Sequence, residues 1–386
     1  MSGFVFNTPA HIVCAAGAAG QAGEQFRAAG VRRALVVTDD GVARAGGLAL
    51  VLDALRSAGV AHRVFQDVPR DPGPETATAA AAAAVEMEAQ GVLGLGGGSV
   101  LDVAKLAALL ATGRDALSEI YGVGLASGPR LPLILAPTLA GSGAEVTPLA
   151  LLVAAGEKKA VVASSLLPDV ALLDVDMTLT APPAETAAAG AGAVALAVEA
   201  FTSVHANANP LSRALAEGAL GLLAWALPLA VLESTDRRAR QALLSASMMV
   251  GQAFANAPAG AAHALAYPLC ARHRLPAGLA SALMLPHVVR FNLPVAAHAY
   301  TGLMARLFPE APVAGASAVT GEAFAARLGG FLTAIGLPDS LKAAGVPRED
   351  LAGLATAAQR QTRLLVNNPR PVLAQDIAAL YKAAWE

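Results

Sequence analysis

The chain has 386 residues, 55% of them hydrophobic and 15% charged, with a formal net charge of −2; such a length accommodates two domains with separate cores. A balance this close to neutral gives no electrostatic reason to expect nucleic acid or an anionic membrane surface as partner. Two cysteines, Cys14 and Cys270, are too few for a disulfide framework or a cysteine-based zinc site, so a reducing cytoplasm is the expected compartment.

The opening residues, Met1 to Pro9, lack a basic start and an apolar core, so no secretory leader is expected there. Ala34-Leu35-Val36-Val37-Thr38 reads as a strand from its β-branched content, and His62 to Phe65, Gly91 to Leu95 and Leu131 to Ala136 read the same way. Alanine-rich helical stretches, Gly47 to Ala58 and Pro74 to Gln90, lie between them. This alternation predicts an α/β domain with a parallel sheet and helices on both faces. Ligands of such sheets bind at the carboxyl ends of the strands, where Asp39 and Gly96 to Ser99 fall.

From about Thr180 strand-like runs give way to alanine- and leucine-rich stretches punctuated by Pro210, Pro228, Pro258, Pro286, Pro309 and Pro338. That texture predicts an all-helical second domain, with residues 1–180 forming the α/β domain and 181–386 the helical one. The apolar run Gly218 to Leu232 is shorter than the ~20 residues a membrane-spanning helix needs. It also carries Pro228 between Glu217 and Glu233, and is expected to be a buried core helix. No internal repeat of fixed period is visible.

The most chemically informative stretch is Gly96-Gly97-Gly98-Ser99-Val100-Leu101-Asp102-Val103-Ala104-Lys105, a glycine run that ends one strand and opens a helix. Glycines let the backbone approach a phosphate, and the free N–H groups and positive end of the helix dipole then hold the anion. A bare glycine run also makes an ordinary tight turn. Asp39 ends an early strand, where a carboxylate accepts hydrogen bonds from an adenosine ribose and repels a 2′-phosphate; it equally suits a helix N-cap.

Read with Pro137-Thr138-Leu139-Ala140-Gly141-Ser142-Gly143-Ala144-Glu145-Val146-Thr147-Pro148, the GGGSxxDxAK stretch resembles the iron-containing (group III) alcohol dehydrogenase family, over most of the chain. The resemblance implies the dehydroquinate synthase-like fold: an N-terminal dinucleotide-binding α/β domain and a C-terminal helical domain completing an active-site cleft. It implies an NAD(H)-linked oxidoreductase acting on a small molecule, in a family where dimers are common. By position in its motifs, Asp39, Gly97, Gly98, Ser99, Asp102, Thr138, Ser142 and Lys159 would bind the cofactor. Lys158 and Lys159 are also open to reading as solvated loop charges. The chain departs from the pattern at Leu139 and Ala144, which replace hydroxyl residues, and at Asp71, where an Asn is usual.

The sharper departure concerns metal. Family members hold iron or zinc with one Asp and three His, and the matching positions here are Gly192, Leu196, His263 and Ala277. A further family His near the reacting centre is replaced by Tyr267. One imidazole does not make a catalytic site, which normally needs three protein ligands and an open position, so no catalytic metal is expected. Glu199 occurs in metal-bearing relatives too and is assigned a structural role. Cys270 shares a helical face with His263 and Tyr267 and is read as core filler, His273 as a surface residue and His287 as packing.

His263 and Tyr267 remain as candidate acids for stabilising charge on a substrate oxygen. By their match to positions lining the family's substrate cleft, the resemblance implies that Leu196, Phe254 and Ala277, with Asn256, line an apolar substrate pocket, although Phe254 also suits plain core packing. Such a site suits an activated carbonyl, a conjugated enone or an oxo acid. Two other readings stay open: an NAD-binding pseudoenzyme, and a lyase or cyclase that uses NAD without net redox change.

Overall fold

A computed structural model of the chain describes residues 3–311 and 317–386. The β-branched and apolar runs of the first half become a six-stranded sheet of β1 (His11–Cys14), β2 (Arg33–Val37), β3 (Ala61–Phe65), β4 (Gly91–Gly96), β6 (Leu133–Pro137) and β9 (Val170–Leu173). Its order is β1-β9-β6-β4-β2-β3, and every pairing is parallel. The strands are continuous apolar runs because both faces are covered. Ala34, Val36, Leu93, Leu95, Ile134 and Ala136 pack into the core on one face, with Phe26 and Leu55. Their alternate neighbours Leu35, Val37, Val92, Leu133 and Leu135 pack into the other, with Leu101 and Ala104. The covering helices are α1 (Ala22–Ala28), α2 (Asp40–Arg44), α3 (Gly47–Ser57), α4 (Pro74–Glu86) and α5 (Gly98–Leu110).

A second, three-stranded sheet was not foreseen from the sequence. It orders β5 (Gly122–Val123), β8 (Glu157–Val162) and β7 (Leu149–Ala154) as β5-β8-β7. β7 and β8 form an antiparallel hairpin whose two-residue turn, Ala155-Gly156, has both φ angles positive at 53° and 73°. Positive φ at both central residues matches the right-handed twist of the flanking strands.

The chain divides into two compact units: Asn7–Ala181, which holds both sheets, and Pro182–Glu386, which is helical and includes the N-terminal stretch up to Phe6. That stretch joins the helical unit because the Val5 N–H donates to Asn207 Oδ1 (2.9 Å) and the Val5 carbonyl accepts from Asn207 Nδ2 (2.8 Å). The expected boundary placed it with the sheets.

The helical unit comprises α6 (Pro183–Thr202), α7 (Pro210–Leu232), α8 (Arg237–Asn256), α9 (Ala261–His273), α10 (Ala277–Leu307), α11 (Ser317–Ala334), α12 (Leu351–Ala358), α13 (Thr362–Leu365) and α14 (Ala374–Trp385). Pro210 opens α7, and Asn209 caps it by accepting the Leu211 and Ser212 N–H groups. Pro228 and Pro286, which the sequence reads as punctuation, lie inside α7 and α10. The run Gly218 to Leu232 is the second part of a 23-residue α7 and is only partly buried. Leu223 and Leu227 face inward, while Trp225 is 38% and Leu232 81% exposed. α6, α7 and α10 are each long and apolar enough to cross a membrane by length and composition. Most of the apolar stretch of α6 (78%) and α10 (67%) is instead buried against other helices of the unit, and 39% of that of α7.

Candidate active site

From β2 the chain crosses to β3 on one side, and from β4 onward it steps through β6 and β9 on the other. The carboxyl ends of β2 and β4 therefore mark the topological switch point, where open parallel sheets bind their ligands. Asp39 lies just past the end of β2 and caps α2, its Oδ1 accepting the Val42 N–H at 3.0 Å. Past β4, Gly97 is the N-cap of α5 with extended backbone (φ −73°, ψ 179°) and no capping side chain. On the adjoining strand the Thr138 N–H donates to the Gly96 carbonyl at 3.0 Å, which ties the end of β6 to that of β4. A methyl group built on Gly98 would lie 3.3 Å from Ser142 Oγ. The fold thus brings Gly97, Gly98, Ser99, Thr138 and Ser142 together around one uncapped helix start, with Asp39 one strand away. An uncapped, glycine-lined helix N-terminus suits a pyrophosphate.

Asp102 is engaged differently from the expectation. It is buried, with Oδ2 accepting the Leu151 N–H at 3.0 Å and Oδ1 3.8 Å from Lys105 Nζ. Lys105 is fully buried and donates to Thr147 Oγ1 (3.1 Å) and the Leu149 carbonyl (2.7 Å). Glu145 is buried beside it, near enough to bias its protonation. Loss of hydration dominates all three groups. It raises Asp102 to about 6 and Glu145 to about 7, and lowers Lys105 to about 8, against the partial compensation of their opposite charges. Asp102 thus ties α5 to β7. Lys105 and Glu145 escaped the sequence reading, although charges inside Leu101 to Leu110 and Gly143 to Val146 were the available signal.

Lys158 and Lys159 lie on β8, not on a solvated loop. Lys159 Nζ sits 5.4 Å from the centre of the Tyr121 ring, a cation–π distance. Lys158 pairs with Asp71 at 2.8 Å, and its side chain is 7% exposed. Asp71 has φ 53°, a left-handed backbone that Asp and Asn tolerate better than most residues. Where the family has Asn, this chain has a half-buried ion-pair partner for Lys158.

In the helical unit, His263 is on the first turn of α9 and its side chain is 12% exposed. Its Nδ1 contacts Glu199 Oε2, while Glu199 Oε1 accepts the Ala262 N–H at 2.6 Å. Tyr267 and Cys270, further along α9, are buried. Leu196 is buried and Phe254 half-buried, whereas Ala277, the first residue of α10, is exposed. Asn256 is buried and its amide donates back to the Gln252 carbonyl at 2.8 Å. His273 is not a free surface residue: its Nε2 lies 3.4 Å from Asp350. Burial, with Arg290 nearby, lowers His287 to about 4, as packing inside α10 implies.

The residues at the family's ligand positions do not fit a metal ion. A methyl group on Gly192 would lie 2.5 Å from Gly278 Cα, and one on Gly278 would lie 2.1 Å from the Ala188 carbonyl oxygen. α6 and α10 are therefore in backbone contact where the family carries its Asp ligand, and no side chain has room there. Among the described residues no three His, Cys, Asp or Glu side chains are grouped closely enough to hold a metal.

The sequence matches the family model for iron-containing alcohol dehydrogenase over residues 9–175, and that for the C-terminal domain of the Fe-containing alcohol dehydrogenase family over residues 186–385. It is 36% identical over 377 residues to long-chain-alcohol dehydrogenase 1 of Geobacillus thermodenitrificans, covering 96% of this chain and 93% of that one. The fold superposes on the crystal structure of a 1,3-propanediol oxidoreductase with a TM-score of 0.95 and 30% identity, over the full length of both chains. It also superposes on a sulfoacetaldehyde reductase from Bifidobacterium kashiwanohense in complex with NAD+, with a TM-score of 0.87 and 26% identity, over 100% of this chain and 99% of that one. With two family models spanning nearly all its length, the chain belongs to the iron-containing alcohol dehydrogenase family.

Proposed function

We propose that the protein is an NAD(H)-linked oxidoreductase that works without a catalytic metal on an activated carbonyl, such as a conjugated enone or an oxo acid, or on the matching alcohol. The observation that carries this reading is the backbone contact of Gly192 with Gly278, which leaves no room for a ligating side chain at residue 192, beside a glycine-lined start of α5 with no side-chain cap. Gly97, Gly98 and Ser99 offer their backbone N–H groups to the pyrophosphate, and Thr138 and Ser142 add hydroxyls beside them. Asp39 accepts from the adenosine ribose with the oxygen not used as a helix cap, and its charge disfavours a 2′-phosphate. Lys159, held over Tyr121, adds positive charge for the same ligand. The nicotinamide, when bound, supplies or takes the hydride.

Without a Lewis acid, the charge developing on the substrate oxygen needs a proton donor from the protein. His263 is the candidate, with Tyr267 one helical turn along α9. An acid of this kind handles an acceptor already activated by conjugation or an adjacent carbonyl better than a simple alkanal. Leu196 and Phe254 give the substrate an apolar lining. A fluorescence titration of chelator-treated protein with NADH, using NADPH as comparison, tests the nucleotide half. Saturable NADH binding with clearly weaker NADPH binding is expected. Binding of neither nucleotide would overturn the reading.

A further inference from the structure

Charges buried in the sheet unit alternate in sign through successive contacts. Asp71 pairs with Lys158 at 2.8 Å, and Lys158 also acts on Asp102. Asp102 Oδ1 lies 3.8 Å from Lys105 Nζ, and the Lys105 charge acts in turn on Glu145. With every group ionised, the carboxylates Asp71, Asp102 and Glu145 outnumber the ammonium groups of Lys158 and Lys105. One negative charge is then in excess where little water reaches to spread it, and a single proton removes it.

Glu145 is the place for that proton. It is 1% exposed on the short 3-10 turn Ala144–Val146, which packs against α5 and β6. β6 is Leu-Ile-Leu-Ala-Pro and brings no charge, whereas α5 brings Lys105 and Asp102. The Glu145 carboxyl accepts from its own backbone N–H, and Oε1 finds no hydrogen-bond partner among the described residues. Lys105 does not supply one, because its Nζ donates to Thr147 Oγ1 and the Leu149 carbonyl. A buried carboxyl so poorly satisfied favours its neutral form, and loss of hydration raises Glu145 to about 7. Asp102 is better held, with Oδ2 on the Leu151 N–H, and changes charge at about 6; Lys105 does so at about 8.

We propose that Glu145 makes nucleotide binding proton-linked: the sheet unit takes up a proton at this carboxyl as it takes up the dinucleotide. This rests on the nucleotide half of the reading above. Ser142, beside the start of α5, precedes Glu145 by three residues, a span of at most about 11 Å. A pyrophosphate brings two negative charges to that turn and opposes a further one at Glu145. The bound nucleotide therefore favours the protonated carboxyl, and by reciprocity the protonated protein binds the nucleotide more tightly. Affinity is full below about pH 7 and is lost as pH rises through it. Asp102 and Lys105 respond with the same sign at the two edges of that window.

The test is the NADH dissociation constant of chelator-treated full-length protein, followed by fluorescence between about pH 6 and about pH 8. Calorimetry near neutral pH, in buffers of different ionisation enthalpy, counts the protons taken up on binding. Wild type should bind NADH about fivefold more weakly at the upper pH, the low end of coupling between linked sites, with net proton uptake. Glu145→Gln, neutral and of the same shape, should match wild type at the lower pH and bind NADH more tightly than wild type at the upper. Its proton uptake should largely vanish. A merely structural role for Glu145 predicts instead weaker binding by the variant at every pH. Glu145→Met serves if the Gln variant does not fold, and proton uptake by the wild type needs no variant. A wild-type affinity independent of pH, or the same slope and proton uptake in Glu145→Gln, would overturn the proposal and leave the nucleotide reading standing. No NADH binding at any pH would overturn that reading, and the proposal with it.

Discussion

At the scale of single residues, Asp39 shows how two readings of one carboxylate coexist. One oxygen caps α2 through the Val42 N–H, and the negative charge is what disfavours a 2′-phosphate. Asp39→Asn separates these, because Asn caps a helix as well as Asp does but carries no charge. The thermal midpoint should stay near wild type, and the preference for NADH over NADPH should weaken by about tenfold. That factor corresponds to ~1.4 kcal/mol, within the range for unit charges about 4 Å apart near a protein surface. An unchanged preference would remove Asp39 from the cofactor site. Glu145 gives a different kind of test. Its ordinary value of 4.5 rises to about 7 in the folded protein because burial disfavours the charged form. The folded state therefore keeps a proton that the unfolded chain has released. The resulting stability is present below about 4.5 and is lost as pH rises through about 7. In Glu145→Gln the fall in thermal midpoint between about pH 5 and about pH 8 should be smaller than in wild type. Asp102, shifted in the same direction, keeps some slope in place.

At the scale of elements, the crossing of α6 and α10 is decided by two glycines. Gly278→Ala places a methyl group 2.1 Å from the Ala188 carbonyl oxygen, with backbone on both sides. Overpacking of this kind costs ~1–3 kcal/mol, and should appear as a lowered denaturation midpoint. A variant as stable as wild type would mean that the two helices separate easily. Four strands of the six-stranded sheet, β2, β3, β4 and β6, were legible in the sequence because runs such as Ala34 to Val37 are apolar on both faces and end at turn residues; the four-residue strands β1 and β9 were not read. β5, β7 and β8 were not read either, since β8 begins Glu157-Lys158-Lys159 and its two lysines meet partners distant in the sequence, Asp71 and Tyr121. Pro228 and Pro286 misled for the same reason: helix packing holds a helix together across a residue that local preference would use to end it. The loss of ligand residues at 192, 196 and 277 was visible in the sequence. The contact of Gly192 with Gly278 was not, because it depends on how closely two helices approach.

For the whole molecule, two compact units carry separate parts of the account. The sheet unit holds an uncapped glycine turn with the hydroxyl residues Thr138 and Ser142 beside it, where the nucleotide is proposed to bind. The helical unit holds His263 against Glu199 and leaves no room for a side chain at Gly192. The proposed enzyme turns over NAD(H) without a metal. The most direct measurement is NADH oxidation by chelator-treated protein of verified metal content, supplied with an α-oxo acid or a conjugated enone. The account predicts turnover that chelation leaves unchanged and that added iron or zinc does not raise. Turnover abolished by chelation and restored by iron or zinc would contradict it.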